Sequence, residues 1–418
     1  MTEAKPEITP EKLTLWGPFR DDPIGVAAGL RDKHPSGIFP LEYPGGRIGY
    51  GILSYDIGRD ALLSPDFIRW APPNPKPGRA PMAELVYTQS LLNLNGPELV
   101  TQRRAFMELF KPGHLQATLA GQIKDIITHV VSDLEPGAGN IAQTLGFFLP
   151  IDVMSGLMGI KHLPRETFQR WILTFLAPHN HLGGSSREMW LQSEAAGVEM
   201  ASFLEAELKE RDQRAADGKP VADLLDRIAR SEVLDEKPRL AMAILFMVAA
   251  FDTTQGSFGR GLLALLSAPK QLKLFRDHQG DRNFNRRAIS ELLRIASPTL
   301  TTSRHADKDT QLGGIDMPKG TELLLFLNAM NRDPAHFPDP NKLDLERENA
   351  GDQLALGLGA HFCMGANLAK LELEHAWGEL LRTFPDIALV GDGNVEPGPS
   401  PNFHDVQRLD VNLGARIS

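Results

Sequence analysis

The single cysteine of the chain, Cys363, lies in the stretch 356–370, LGLGAHFCMGANLAK, with Gly357, Gly359 and Gly365 crowded around it. Glycines permit backbone conformations closed to residues with a β-carbon and let another group come close. The continuation ANLAKLELEHAWGELLRTF reads as a helix, with Leu368, Leu371, Leu373, Trp377 and Leu381 spread over its apolar side. That spacing puts Cys363 at a helix N-terminus or one residue before it. Unpaired N–H groups and the positive end of the helix dipole favour a thiolate there.

Burial as a small apolar residue is the commoner fate of a cysteine. A cysteine hydrolase needs a histidine that reaches the sulfur; His361 is too near in sequence to settle that, and no other partner is marked. A phosphate loop wants a lysine after its glycines and a strand before them, and neither is evident. With one cysteine the chain has no disulfide framework, no multi-cysteine zinc or iron–sulfur site and no Cys-x-x-Cys-His attachment. The remaining use of a lone thiolate is as one protein ligand to a haem iron.

A haem makes demands elsewhere. Its two propionates need cationic or donor partners, and its oxygen side needs a helix that brings protons into a dry pocket. In LFMVAAFDTTQGS (245–257) an apolar helical run gives way to Asp252, Thr253 and Thr254. An acid beside an alcohol inside a buried helix is costly unless partnered. For the threonines alone, back-bonding to the preceding turn is the ordinary explanation. AISELLRIASP sets Glu291 and Arg294 on one helix face, a spacing usually seen in solvated surface pairs worth a few tenths of a kcal/mol.

The rest of the chain must position these groups. Of 418 residues, 42% are hydrophobic and 23% charged, as in a soluble globular protein, and the net charge of −9 gives no support for nucleic-acid binding. The N-terminus has neither the basic start nor the apolar run of a signal peptide, and the apolar run 240–251 is too short to span a bilayer. A cytoplasmic monomer without membrane contact is the expectation. Helical spacing runs through 97–110, 114–134, 151–159, 165–177, 187–214 and 235–266. GRIGYGILSY reads as a strand with a turn at Gly45-Gly46, and QLGGIDMP and TELLLFL read as strands. The segments 71–95 and 178–186 read as mobile loops that gate access. The fold class is therefore mainly α with a small β portion, in one domain over 1–418. Its β-rich parts are 35–64, 309–326 and the tail, and its helical parts are 97–295 and 364–383.

Taken together, four segments resemble the cytochrome P-450 family, the soluble bacterial haem-thiolate monooxygenases. The family's Phe-Gly-x-Gly-x-His-x-Cys-x-Gly is here LGLGAHFCMG, and its Ala/Gly-Gly-x-Asp/Glu-Thr-Thr is AAFDTT. Its Glu-x-x-Arg is ELLR, and MNRDPAHFPDPNKLDLER matches its Asn-Arg-Asp-Pro segment. The resemblance implies a helical fold enclosing haem b, non-covalently held, with Cys363 as axial ligand and the Gly365 N–H on its sulfur. His361, Arg103 and Arg304 would reach the propionates, and Asp252 and Thr253 would deliver protons. Glu291 and Arg294 would lock their helix to the Pro-rich segment. Pocket walls would come from Leu85, Val86, Leu245, Val248, Ala249, Thr299, Leu300 and Phe403.

Three residues depart from the family pattern. Leu356 replaces a Phe that shields the sulfur. Ala250 replaces a glycine that lets the oxygen-side helix kink. Leu99 stands where many relatives place a propionate-binding His. The activity implied is hydroxylation of a small or medium hydrophobic substrate with dioxygen. Electrons would come from NAD(P)H through a separate ferredoxin and ferredoxin reductase. The rival within the same resemblance is a haem-thiolate sensor or carrier, against which Asp252-Thr253 argues. A metal site at His179 and His181 has only two exposed-loop histidines behind it.

Overall fold

The computed structural model describes residues 10–12, 18–43, 46–69, 80–180, 186–398, 400 and 402–417. Side-chain oxygens start several helices. Asp22 caps Pro23–Lys33 through the Gly25 N–H, Ser186 caps Arg187–Ala216 through Met189, and Asp281 caps Arg282–Ile295 through Asn283 and Phe284. Around a large apolar core stand Gly96–Met107, Ala120–Ser132, Leu145–Met158, Arg165–Asn180 and Arg187–Ala216.

The helical run 235–266 is divided. Glu236–Ala249 stops, Ala250 turns with φ −79° and ψ −19°, and Phe251–Leu266 resumes. These angles are open to alanine, so the break forms without the glycine that the family pattern supplies. By length and composition Glu236–Leu266 could cross a membrane, but 72% of its most apolar window is buried in protein. Its far face packs closely on segments from the C-terminal part of the chain. A Cβ on Gly256 would lie 3.1 Å from the Asp405 Cα, and one on Gly261 would lie 2.2 Å from the Trp377 ring. Trp377, fully buried, donates Nε1–H to the Phe258 carbonyl at 3.1 Å. The helix after the cysteine loop, Ala366–Thr383, is thereby fixed against the broken helix.

The largest sheet is a five-stranded mixed one flanked by two smaller cores, and among the described residues three smaller sheets of two or three strands accompany it. Its order is Ile38–Tyr43, Arg47–Ile52, Glu322–Phe326, Thr301–Ala306, Phe67–Ile68. Arg47–Ile52 and Glu322–Phe326 run parallel, and the other neighbours antiparallel.

Several boundaries differ from the sequence expectations. Tyr55–Leu63, expected within the β-rich 35–64, is a helix started by Ser54. Pro81–Gln89 is a helix inside the expected 71–95 loop, because proline, a breaker elsewhere, suits the first helical position; 70–79 lie outside the described residues. Thr301–Ala306 is a strand with no counterpart among the expected ones, since TTSRHA has no apolar alternation and its place is set by pairing on both sides. Arg165–Asn180 runs through Pro178, and 181–185, with His181, lie outside the described residues, as do Gly45 and the His179 side chain.

Candidate active site

Cys363 lies between the short turn Gly359–His361 and the helix Ala366–Thr383. Its N–H donates to the Leu356 carbonyl at 2.9 Å, closing the loop. Gly359, at φ +70°, passes so near the helix Tyr55–Leu63 that a Cβ would meet the Leu62 carbonyl at 2.4 Å. The Gly365 N–H is directed at the Cys363 sulfur. Cys363 is exposed as a residue although protein surrounds its thiol densely, so it borders open space enclosed by the fold.

The helix begins at Ala366, three residues past Cys363, further than the periodicity predicts. Burial pushes the Cys363 thiol up, and the Gly365 N–H, Arg103 and Lys370 offset this only in part. Burial thus works against the thiolate that the helix dipole was expected to favour. A bound metal ion reverses the balance, because a coordinating thiol is deprotonated outright.

Cationic groups gather beside the loop. Arg103, on Gly96–Met107, donates Nη2–H to the Phe362 carbonyl at 2.8 Å. Arg304, buried in Thr301–Ala306, donates Nη1–H to the Ser303 carbonyl at 2.8 Å and to Thr302 Oγ1 at 3.4 Å. Arg69, just past Phe67–Ile68, donates Nη1–H to that same Thr302 Oγ1 at 2.7 Å. Burial, followed by Arg304, Arg69 and Arg103, pushes His361 down to about 3, so it is a neutral donor at physiological pH. Burial and then Arg69 push Arg304 down to about 9. Among the described residues no carboxylate compensates Arg69, Arg103 or Arg304. An uncompensated buried charge costs on the order of several kcal/mol, so this cluster is suited to an anion. Arg69 escaped the sequence reading because LLSPDFIRW carries no motif.

Asp252 and Thr253 open the second half of the broken helix. Asp252 is buried. Thr253 is half-buried and donates Oγ1–H to the Ala249 carbonyl across the break at 3.0 Å. This is the ordinary back-bond of a helical threonine, and it leaves the oxygen lone pairs as acceptors. Ala249, one turn earlier, is exposed although Met247 and Val248 beside it are buried, so this turn also borders open space.

The expected pocket residues divide. Leu245, Thr299 and Phe403 are half-buried, with Thr299 bridged to Phe403, and Leu85 packs partly buried against the main core. Val86 and Val248 lie buried in that core. Leu300 belongs elsewhere: it is 1% exposed, in the core of Phe39 and Phe326 beside the sheet. Its strand neighbours decide this, which the turn reading did not foresee. Leu99 is likewise core. Leu356 is half-buried against the main core, before the cysteine.

Glu291 and Arg294 are fully buried, where a surface pair was the ordinary expectation. They join by bonds of 2.7 and 2.8 Å, and Arg294 Nη1 donates to the Asn331 and Pro340 carbonyls. Arg347, which the sequence reading did not single out, donates Nε–H to Glu291 at 3.1 Å. The three tie the helix Arg282–Ile295 to the Pro-rich segment.

Comparison with known proteins bears on this arrangement. The crystal structure of P450BioI with a fatty-acyl-ligated acyl carrier protein superimposes with a TM-score of 0.84 at 23% identity, over 94% of this chain and 99% of that one. The fold is thus that of a cytochrome P450. The family described as Cytochrome P450 matches residues 160–386. The cytochrome P450 monooxygenase PikC of Streptomyces venezuelae is 29% identical, over 98% of this chain and 95% of its own. The vitamin D(3) 25-hydroxylase of Pseudonocardia autotrophica is 28% identical, over 96% of each chain. The chain belongs to the cytochrome P450 family, as a haem monooxygenase of the bacterial type. An enclosed but exposed cysteine beside guanidinium groups that lack a carboxylate fits the family's haem, which brings a metal ion and two carboxylates.

Proposed function

We propose that the protein hydroxylates a small or medium hydrophobic molecule, with a haem that Cys363 would hold through its iron and Arg103, Arg304 and His361 through its propionates. The observation that carries this reading is the exposed but enclosed Cys363 beside guanidinium groups uncompensated by any described carboxylate. When bound, haem supplies oxygen activation, with a thiolate ligand favouring O–O cleavage. The Gly365 N–H holds the sulfur and spreads its charge. His361, neutral, donates to a carboxylate rather than pairing with it as an ion.

Thr253, its proton held by the Ala249 carbonyl, accepts from a water or substrate-side donor and so fixes it beside the helix break. Asp252, one residue before it, is the proton source for that position. The half-buried apolar residues Leu85, Leu245 and Phe403 support a hydrophobic substrate, as do relatives named for vitamin D(3) and 6-deoxyerythronolide B hydroxylation. Two electrons come from NAD(P)H through a ferredoxin reductase and a ferredoxin. The whole chain acts as one cytoplasmic, monomeric domain, with Glu291 and Arg294 in a structural role.

The test is optical. Reduced protein under carbon monoxide should show the long-wavelength Soret band of thiolate ligation, and Cys363→Ala should abolish it. A band that persists in the variant rejects the ligand assignment.

A further inference from the structure

Sheet register brings two guanidinium groups together. Phe67 pairs with Ala306 and Ile68 with His305 in antiparallel register, so the next step sets Arg69 across from Arg304. Like charges facing each other across a ladder are destabilising. Here the two side chains do not splay apart. Both donate to one hydroxyl, Thr302 Oγ1, at 2.7 and 3.4 Å, and their charges act on each other and on His361.

Arg69 is held in this position at the expense of a helix cap. Asn95 stands at the N-cap of Gly96–Met107, where an Asn side chain ordinarily accepts from the first turn. It makes no such bond. Its Oδ1 accepts from the Arg69 N–H at 2.9 Å, and its Nδ2 donates to the Arg69 carbonyl at 3.0 Å. One residue thus clamps the Arg69 backbone to the start of the helix that carries Arg103. Arg69 Nε–H is taken by the Leu92 carbonyl at 3.3 Å. Of the five N–H donors of a guanidinium, the bonds to Leu92 and Thr302 use two, and the charge of the group acts on both Arg304 and His361. A cap bond given up in order to hold the backbone of one arginine is the kind of broken local rule found at functional positions.

We propose that Arg69 is a further propionate anchor, sharing a haem carboxylate with Arg304 above Thr302; the assignment rests on the haem-thiolate reading given above. The carboxylate supplies the negative charge that the pair lacks. Planar guanidinium groups suit it because each presents parallel donors to its two oxygens.

The experiment uses ferric holoenzyme of the wild type, Arg69→Gln and Arg69→Lys. Haem release is followed by transfer to excess apomyoglobin, and the propionate-bending bands are recorded by resonance Raman. Loss of a charge-assisted bond should speed release of Arg69→Gln roughly tenfold to a hundredfold and should shift a propionate band. Arg69→Lys, which keeps the charge but not the fork, should fall between. Should Arg69→Gln fail to fold, the Lys variant carries the test alone. Wild-type release and unmoved bands in a pigmented variant overturn the proposal. So does faster release with unmoved bands, because Arg69 would then act only by tying 67–69 to the 92–95 turn. A colourless wild type defeats the parent reading instead, which separates the two failures.

Discussion

Glu372 lies in the second turn of Ala366–Thr383, 2% exposed, with no hydrogen-bond partner on its Oε2. Burial alone pushes its carboxyl up to about 8. At neutral pH the folded protein therefore holds a neutral acid, whereas the unfolded chain holds an ordinary carboxylate. The folded state binds the extra proton between the two values, so stability is full below about pH 4.5 and falls as pH rises towards 8. The slope is about 1.4 kcal/mol per pH unit, which accumulates to about 2.5 kcal/mol from pH 5 to pH 7. Glu372→Gln, neutral throughout, escapes this loss. For 418 residues unfolding together, ~2 cal/mol/K per residue converts the difference into a relative rise in melting temperature of about 3 °C. Thermal melts of both holoenzymes at pH 5, 6, 7 and 8 should show the variant gaining steadily. Parallel curves would mean that Glu372 is already ionised in the fold, and the desolvation argument would fail.

Glu291→Gln removes the negative charge shared by Arg294 and Arg347, all three buried; a loss of about 3–5 kcal/mol in urea unfolding is expected, and a loss under 1 kcal/mol would equate the cluster with a surface pair. Thr253→Ala should retain the pigment and its spectrum while diverting reducing equivalents to peroxide, measured as peroxide formed per NAD(P)H consumed. Unchanged coupling would reject a role for the Thr253 oxygen. In protein expressed without haem, iodoacetamide should label the only cysteine half-maximally above about pH 8.5, since burial raises the Cys363 thiol. Labelling at or below that pH would show that the helix N-terminus outweighs burial after all.

What could be read in linear order was chemistry held by local spacing. Cys363 with its glycines and Asp252 beside Thr253 each lie within one turn or loop, so residue types pointed to them, whereas Glu291 and Arg294 read as a surface pair until the family resemblance gave them a locking role. What could not be read depended on pairing between distant segments. Arg69 and Arg304 are 235 positions apart in the sequence, and only the antiparallel register of Phe67–Ile68 with Thr301–Ala306 joins them. Arg347 reaches Glu291 through the fold of the Pro-rich segment, and Leu300 turns into the sheet core instead of the pocket because its neighbours are Phe39 and Phe326.

The same distinction explains the local electrostatics at the cysteine and the shape of the broken helix. A helix start was expected to lower the Cys363 thiol, but the helix begins at Ala366 and desolvation, which depends on everything packed around the sulfur, is larger. Ala250 stands where the family pattern has a glycine, yet the helix breaks there all the same, because its φ of −79° and ψ of −19° are open to alanine. The packing beyond the break is tertiary: Gly256 and Gly259 admit the tail at Asp405 and Val406, and Gly261 admits Trp377. The second half of the helix is thus packed from behind at Gly256, Gly259 and Gly261, which lie within two turns of one another, while Thr253 bridges to Ala249 in front. Motif residues in this chain point to the chemistry proposed, whereas the close approaches at Gly256, Gly259 and Gly261 and the Asn95 bonds to Arg69 pack the surrounding elements through contacts that no local spacing encodes.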